Sequence, residues 1–379
     1  MSVKRITVIG AGNGGHAMAA HKTLDGFEVT LFELPRFADR IAGVLETGQV
    51  TVEWPERKET VQLYRVTTDI AAALEGAQVV LVVTPAFGHK PMAQLCAPHV
   101  QTGQIIVLMP GTGGSLEFAR VFQEKAAPGV LLAEAVTLPY GARVAGPGHV
   151  LIHTEAVTLP TGVFPAKHTA GVIARLQEVY AQIVPTANAL EAAINNPNPV
   201  VHPAATLLSA TRIEFSGGEF YLYREAMTPS VARVYEALER ERLALLDRLG
   251  LKMHHYADLD ARGYNLGETL DECRQRILNT SMDSAFGSGS IEVGRQMRGP
   301  SSMQDRYITE DVPMSLVPIA ALAQRYGVSV RGIESIIRMA CIIHSTDYWR
   351  TGRTLDKLGI ENLSVSEVNR LVMEGDIRC

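Results

Sequence analysis

The chain opens with a short apolar run, Arg5 to Ile9, that ends on the glycine cluster Gly10 to Gly15. His16 to Asp25 reads as a helix, and Glu28-Val-Thr-Leu-Phe-Glu33 returns to a β-rich pattern. Strand, tight turn, helix and strand within about 30 residues make one βαβ unit with a right-handed crossover. Three later runs, Ala77 to Val83, Gln104 to Met109 and Val130 to Ala133, are continuously apolar instead of alternating. That pattern belongs to parallel strands covered on both faces. Met92 to His99 and Ser115 to Glu124 supply the helices between them.

From Val150 to Ala187 the texture is mixed, with a β-like stretch over Leu151 to Leu159 and a helix over Ala170 to Gln182. After Asn195-Asn-Pro-Asn-Pro199 the pattern is helical only, and a domain boundary is expected near residue 188, giving domains 1–187 and 188–379. Thr228-Pro229 starts a helix, with Thr as N-cap and Pro in the first turn. Val231, Tyr235, Leu238, Leu245 and Leu249 then recur at helical spacing until Gly250 stops the run. Further helices are expected over Leu270 to Thr280, Val312 to Arg325 and Gly332 to His344, and Ser364-Val-Ser-Glu367 is a capping box opening the last one. The stretch Asn265 to Arg306, rich in Gly, Ser and Met, reads as the place for a mobile loop.

Composition narrows the class. With 379 residues, 46% hydrophobic and 20% charged, the chain has the size of two globular domains and a core that needs no metal or disulfide staple. Cys96, Cys273, Cys341 and Cys379 lie far apart with no CxxC pair, which argues against a zinc ribbon or a disulfide scaffold. A net charge of −5 gives no footprint for nucleic acid. No apolar stretch reaches the ~20 residues of a membrane span. The glycine cluster interrupts the N-terminal run before a signal-peptide core can form. The expectation is a soluble cytoplasmic protein with no nucleic-acid or membrane partner, and a homodimer is the common state for this size and fold.

Gly10-Ala-Gly12-Asn13-Gly14-Gly15 fits G-x-G-x-x-G, follows a strand, opens a helix and has an acid about 20 residues on. Gly10 permits the tight turn, Gly12 lets the backbone approach a pyrophosphate, and Gly15 lets helix and strand pack closely. Free N–H groups at the helix N-terminus would hold the pyrophosphate. Glu33 ends the second strand, where a carboxylate accepts hydrogen bonds from a ribose diol and repels a 2′-phosphate, favouring NAD. Arg36, three residues on, leaves NADP open. Thr84-Pro85 and Pro110-Gly-Thr-Gly-Gly114 each close a strand and would border the cofactor, or serve as ordinary turns.

Among the histidines, His202 lies just past the expected boundary, in Asn198-Pro-Val-Val-His202-Pro203. Imidazole cycles protons near neutral pH, as a redox reaction at a carbonyl or imine requires. The plain alternative is a histidine capping the following helix. Arg306-Tyr-Ile-Thr-Glu310-Asp311-Val-Pro313 offers a guanidinium for a substrate carboxylate and a carboxylate to orient a histidine. It equally offers an Arg306–Glu310 pair at i, i+4 and an N-cap at Asp311.

These segments, together with Phe32-Glu33 and Thr137-Leu-Pro-Tyr140-Gly-Ala-Arg143, resemble the opine dehydrogenases of the octopine and nopaline type. The resemblance runs in order over most of the chain. It implies an N-terminal Rossmann domain joined to an all-helical substrate domain, with the active site in a cleft that closes to exclude water. It also implies reductive condensation of an α-amino acid with an α-keto acid, often pyruvate, by hydride addition to an imine. By position, His202 corresponds to the acid/base, Asp311 to its orienting partner and Arg306 to the carboxylate clamp, while Tyr140 and Arg143 either line the cleft or build a turn. The amino-acid pocket carries no diagnostic motif. Two other readings compete: an NAD(P)-dependent 2-hydroxyacid or ketopantoate-type reductase, and a non-catalytic dinucleotide sensor.

Overall fold

The computed structural model describes residues 2–127, 129–253, 287 and 290–375. The helix expected over 270–280 lies outside them, as does much of the stretch 265–306. The chain divides into two compact units, Met1–Ala193 with Leu371–Cys379, and Ile194–Arg370. The division falls a few residues after the expected 187/188 position, and the last residues return to the first unit. The delay has a local cause. Asn188 Oδ1 accepts from the Glu191 N–H, and Glu191 Oε1 accepts from the Ala187 N–H, so a reciprocal cap opens helix Ala189–Ile194 inside the first unit.

The first unit is built on β1 (Arg5–Ile9), β2 (Glu28–Phe32), β3 (Gln49–Trp54), β4 (Arg57–Gln62), β5 (Arg65–Thr67), β6 (Val79–Val82), β7 (Ile105–Leu108), β8 (Leu131–Ala135), β9 (Tyr140–Gly146), β10 (His149–Glu155), β11 (Leu159–Phe164) and β12 (Ile183–Pro185). The main sheet runs β12-β11-β8-β7-β6-β1-β2-β5. From β8 to β5 all its pairs are parallel, and β6 and β7 are buried throughout, as their unbroken apolar sequences require. At the other end β11 joins β8 antiparallel, with Phe164 opposite Leu132. The chain leaves β1 for β2 on one side and later returns to β6 on the other, so the strand order reverses at β1.

A second sheet, β4-β3-β10-β9, was not foreseen. Its hairpin strand β4 exposes Arg57 to Thr60 and buries only Val61, leaving almost no apolar pattern to read. This sheet rests on helix Asn13–Leu24, where the His21 ring lies 5.3 Å from Trp54 and 5.6 Å from Tyr140.

Among the described residues the second unit is helical. Thr228 caps helix Pro229–Leu249 and Gly250 ends it with φ +71°, while Ser364 and Glu367 form the expected capping box. Arg242 and Glu239, both fully buried on the long helix, form an ion pair. Arg242 Nη1 also donates to the carbonyls of Ile194 and Asn196 (3.2 and 2.6 Å), anchoring the chain just before helix Asn198–Leu208. The stretch expected as one helix over 312–325 divides into a π turn, Val312–Leu316, and an α-helix, Val317–Arg325. Pro313 and Pro318 each withhold an N–H there, which breaks the regular hydrogen-bond ladder.

Candidate active site

In the first unit, the fingerprint residues lie beyond the carboxyl ends of three neighbouring strands, β6, β1 and β2, where the strand order reverses. Open α/β sheets bind ligands at such a point. Gly10 has φ +100°, and a Cβ there would stand 2.8 Å from the Val83 carbonyl oxygen. A Cβ on Gly15 would overlap the Gly10 carbonyl, and one on Gly14 would press Val83, whereas Gly12 faces open space. Gly12 is the N-cap of helix Asn13–Leu24, with no capping side chain and no acidic residue in the first turn. The helix N-terminus therefore keeps its positive end for an anion. Thr84 Oγ1 is buried and has no hydrogen-bond partner, and its Cγ2 is 3.2 Å from where a Gly10 Cβ would stand. The residues present fit a dinucleotide: an open glycine cradle, an uncapped helix and an unpartnered hydroxyl beside them.

Two predicted cofactor residues also have partners within the protein. Glu33 accepts from the Ala11 N–H (2.9 Å) and the Leu34 N–H (2.7 Å), so its carboxylate braces the glycine loop at the end of β2. Asn13 Oδ1 accepts from the Val144 N–H (2.8 Å), tying the helix start to β9. Arg36 is exposed and lies against Phe37. Burial holds His16 below the usual histidine range; its Nδ1 is 3.1 Å from the Gly12 carbonyl.

The second glycine loop is different. Glu134, fully buried at the end of β8, accepts from the N–H groups of Gly113 (3.2 Å) and Ser115 (3.0 Å). Its carboxylate occupies the start of helix Gly114–Glu124, the place a phosphate would take, and sequence reasoning had passed it over. Tyr140, expected at the substrate, stands at the start of β9. It is 3% exposed, its hydroxyl is 2.8 Å from His21 Nδ1 and donates to the Tyr180 hydroxyl (3.4 Å), and burial raises its pKa. Arg143 is exposed on β9 and donates to the Ala142 carbonyl.

In the second unit, His202 is inside helix Asn198–Leu208 and caps nothing. Its Nδ1 lies 2.9 Å from Asp311 Oδ2, across 109 residues of sequence, and Asp311 makes no cap bond to the turn that follows it. An ionised carboxylate only accepts, so Nδ1 carries the proton and Nε2 of the neutral ring presents its lone pair. Nε2 is 2.7 Å from the Tyr223 hydroxyl, and the Tyr307 ring stacks on the imidazole at 3.9 Å and 18°. Neither tyrosine was foreseen. Tyr307 directly follows Arg306, and Tyr223 lies in the apolar run Phe220-Tyr-Leu-Tyr223, which reads as core. Arg306 donates from Nε to Glu310 (2.8 Å), the i, i+4 pair the spacing allows. Its side chain is 65% exposed, and that of Glu310 is buried. Such an arrangement holds an arginine in place while leaving a planar edge for a carboxylate.

A glycine cradle that fits a dinucleotide in one unit and a paired histidine and carboxylate in the other are parts that an NAD(P)-dependent oxidoreductase uses, and the comparisons with known proteins give that class. Residues 185–344 match the model for the α-helical domain of NAD/NADP octopine/nopaline dehydrogenase, and residues 5–117 match the N-terminus of NAD-dependent glycerol-3-phosphate dehydrogenase. An opine dehydrogenase of Arthrobacter sp. (strain 1C) is 31% identical over 97% of this chain and 99% of its own length. An octopine dehydrogenase solved with NADH and L-arginine superposes with a TM-score of 0.73 at 22% identity, covering 96% of this chain and 97% of that one. A yersinopine dehydrogenase with NADP+ bound gives 0.71 at 15% identity, over 98% of both chains. The chain belongs to the opine dehydrogenase family. It is an oxidoreductase of the CH–NH group that reductively condenses an amino acid with a keto acid using NAD(P).

Proposed function

We propose that the condensation proceeds through an imine formed from an α-amino acid and pyruvate, with His202 as acid/base, Asp311 as its orienting partner and Arg306 as the clamp on a substrate carboxylate. The observation that carries this reading is the 2.9 Å pairing of His202 with Asp311 in a largely buried setting. Joining an amine to a ketone expels water and needs a proton taken up and later returned, and a histidine held in one tautomer does both. Arg306 is fixed through Nε by Glu310, and its guanidinium would take the carboxylate of the keto acid through its remaining N–H groups. NADH, when bound, supplies the hydride. We assign the cofactor preference to NAD because the Glu33 carboxylate ends β2, where it would repel a 2′-phosphate. Gly10, Gly12, Asn13, Gly14, Gly15 and Thr84 complete the proposed cofactor site.

Related octopine dehydrogenase structures hold pyruvate, L-arginine or agmatine with NADH, which supports small substrates of these classes. The ketopantoate-type reductase alternative is not favoured, because the family assignment spans nearly the whole chain. The test is His202→Ala: turnover should fall by about 10²-fold or more, the usual worth of a positioned acid/base, with NADH affinity retained. A loss of cofactor affinity with turnover preserved would remove His202 from this role.

A further inference from the structure

We infer that Tyr223 is the proton relay between His202 and the substrate. This rests on the acid/base role proposed for His202. The imidazole has three approaches taken by the protein: Asp311 on Nδ1, the Tyr307 ring on a face, and the Tyr223 hydroxyl on Nε2 at 2.7 Å. Nδ1–H donates to Asp311, so in the neutral ring Nε2 accepts and the phenol donates. A substrate proton therefore reaches Nε2 through the phenol oxygen or after the phenol has been pushed aside. The structure favours passage through it. Tyr223 is 8% exposed, set in the π turn Leu222–Ala226, and meets His202 edge-on with ring centroids 6.2 Å apart. Displacing it would strip a short buried hydrogen bond from both groups, whereas a relay uses that bond as it stands. Irregular helical turns of this kind often place functional side chains.

The relay balances over the condensation. The amino acid enters as an ammonium; one N–H proton passes to the phenol oxygen as the phenol proton passes to Nε2, leaving a free amine and an imidazolium. The amine nitrogen bonds to the carbonyl carbon, and a proton shifts from nitrogen to oxygen to give the carbinolamine. Its C–O bond then breaks as the nitrogen lone pair forms C=N. The phenol proton goes to the departing oxygen, making water, and Nε2–H restores the phenol. The iminium is then ready for hydride from NADH, and the product amine takes its last proton from solvent.

The test compares Tyr223→Phe with His202→Ala and the parent, in kcat, in KM for each substrate, and in the kinetic isotope effect with NADH deuterated at the transferred position. Thermal melting and NADH binding verify the fold. The relay predicts that Tyr223→Phe lowers kcat by about 10²-fold, with both KM values within about threefold. It also predicts an isotope effect no larger than the parent's, because the proton steps before hydride transfer become slower. Three results overturn it: kcat near the parent value, a raised KM with kcat kept, or a larger isotope effect, which marks a misplaced imine. If His202→Ala itself retains turnover, the failure belongs to the acid/base assignment and not to the relay alone.

Discussion

Replacing Asp311 with asparagine removes a charge and little else. The amide keeps an oxygen within reach of His202 Nδ1, which now stands 2.9 Å from Asp311 Oδ2. What is lost is the attraction between a carboxylate and the imidazolium that forms whenever His202 holds the transferred proton. At about 4 Å between charge centres and an effective dielectric of about 20, that attraction is about 4 kcal/mol. Both side chains keep some exposure, 10% and 13%, and the amide retains a hydrogen bond. Allowing roughly half for these leaves about 2 kcal/mol, a fall in kcat of about 30-fold. The assay is steady-state turnover with amine, keto acid and NADH all saturating, beside a fluorescence titration of NADH. Cofactor affinity should be unchanged. A kcat within about threefold of the parent would refute the reasoning, since the charge would then contribute less than about 0.7 kcal/mol.

Other consequences follow from the first unit. Glu33→Ala should raise the ratio of NADP to NAD turnover, and an unchanged ratio would mean that the carboxylate does not reach the ribose. Stability should also depend on His16. Its folded pKa is depressed by burial, so once pH falls past ~6.5 the unfolded chain binds more protons than the fold, and stability drops as pH falls. Thermal melts at about pH 8 and about pH 5.5 should separate less in His16→Gln than in the parent, and an equal separation would contradict this.

The parts of the fold that could be read were those whose sequence has one physical explanation. Unbroken apolar runs such as Val79–Val82 and Ile105–Leu108 suit strands covered on both faces, and Gly10 to Gly15 could hardly serve anything but a tight strand-to-helix turn. β3, β4 and β9 escaped notice because strands half open to water, such as Arg57–Gln62, carry charges and little alternation, whereas β10 fell partly within the β-like stretch over Leu151 to Leu159. The pairing of His202 with Asp311 is a long-range fact that local spacing could only leave open; the motif resemblance suggested it, and the helix Asn198–Leu208 and the π turn after Asp311 supply the geometry. Tyr223 and Tyr307 were missed because aromatic residues near apolar ones usually signal core. Glu134 was missed because a single acid after an apolar run gives no hint that it will cap a distant helix. Tyr140 had two admissible roles that local spacing left open, and the structure buries it beside His21 and Tyr180.

The central claim is that hydride goes to an imine made from two substrates. It is tested most directly by following NADH oxidation, through its near-ultraviolet absorbance, with pyruvate alone and then with pyruvate plus each of a panel of single amino acids. The account predicts no turnover with the keto acid alone and turnover with one class of amine added, which would also name the donor. Oxidation of NADH by pyruvate at the same rate with and without any amine would contradict it, placing the chemistry at a carbonyl and leaving His202, Asp311 and Tyr223 without a condensation to serve.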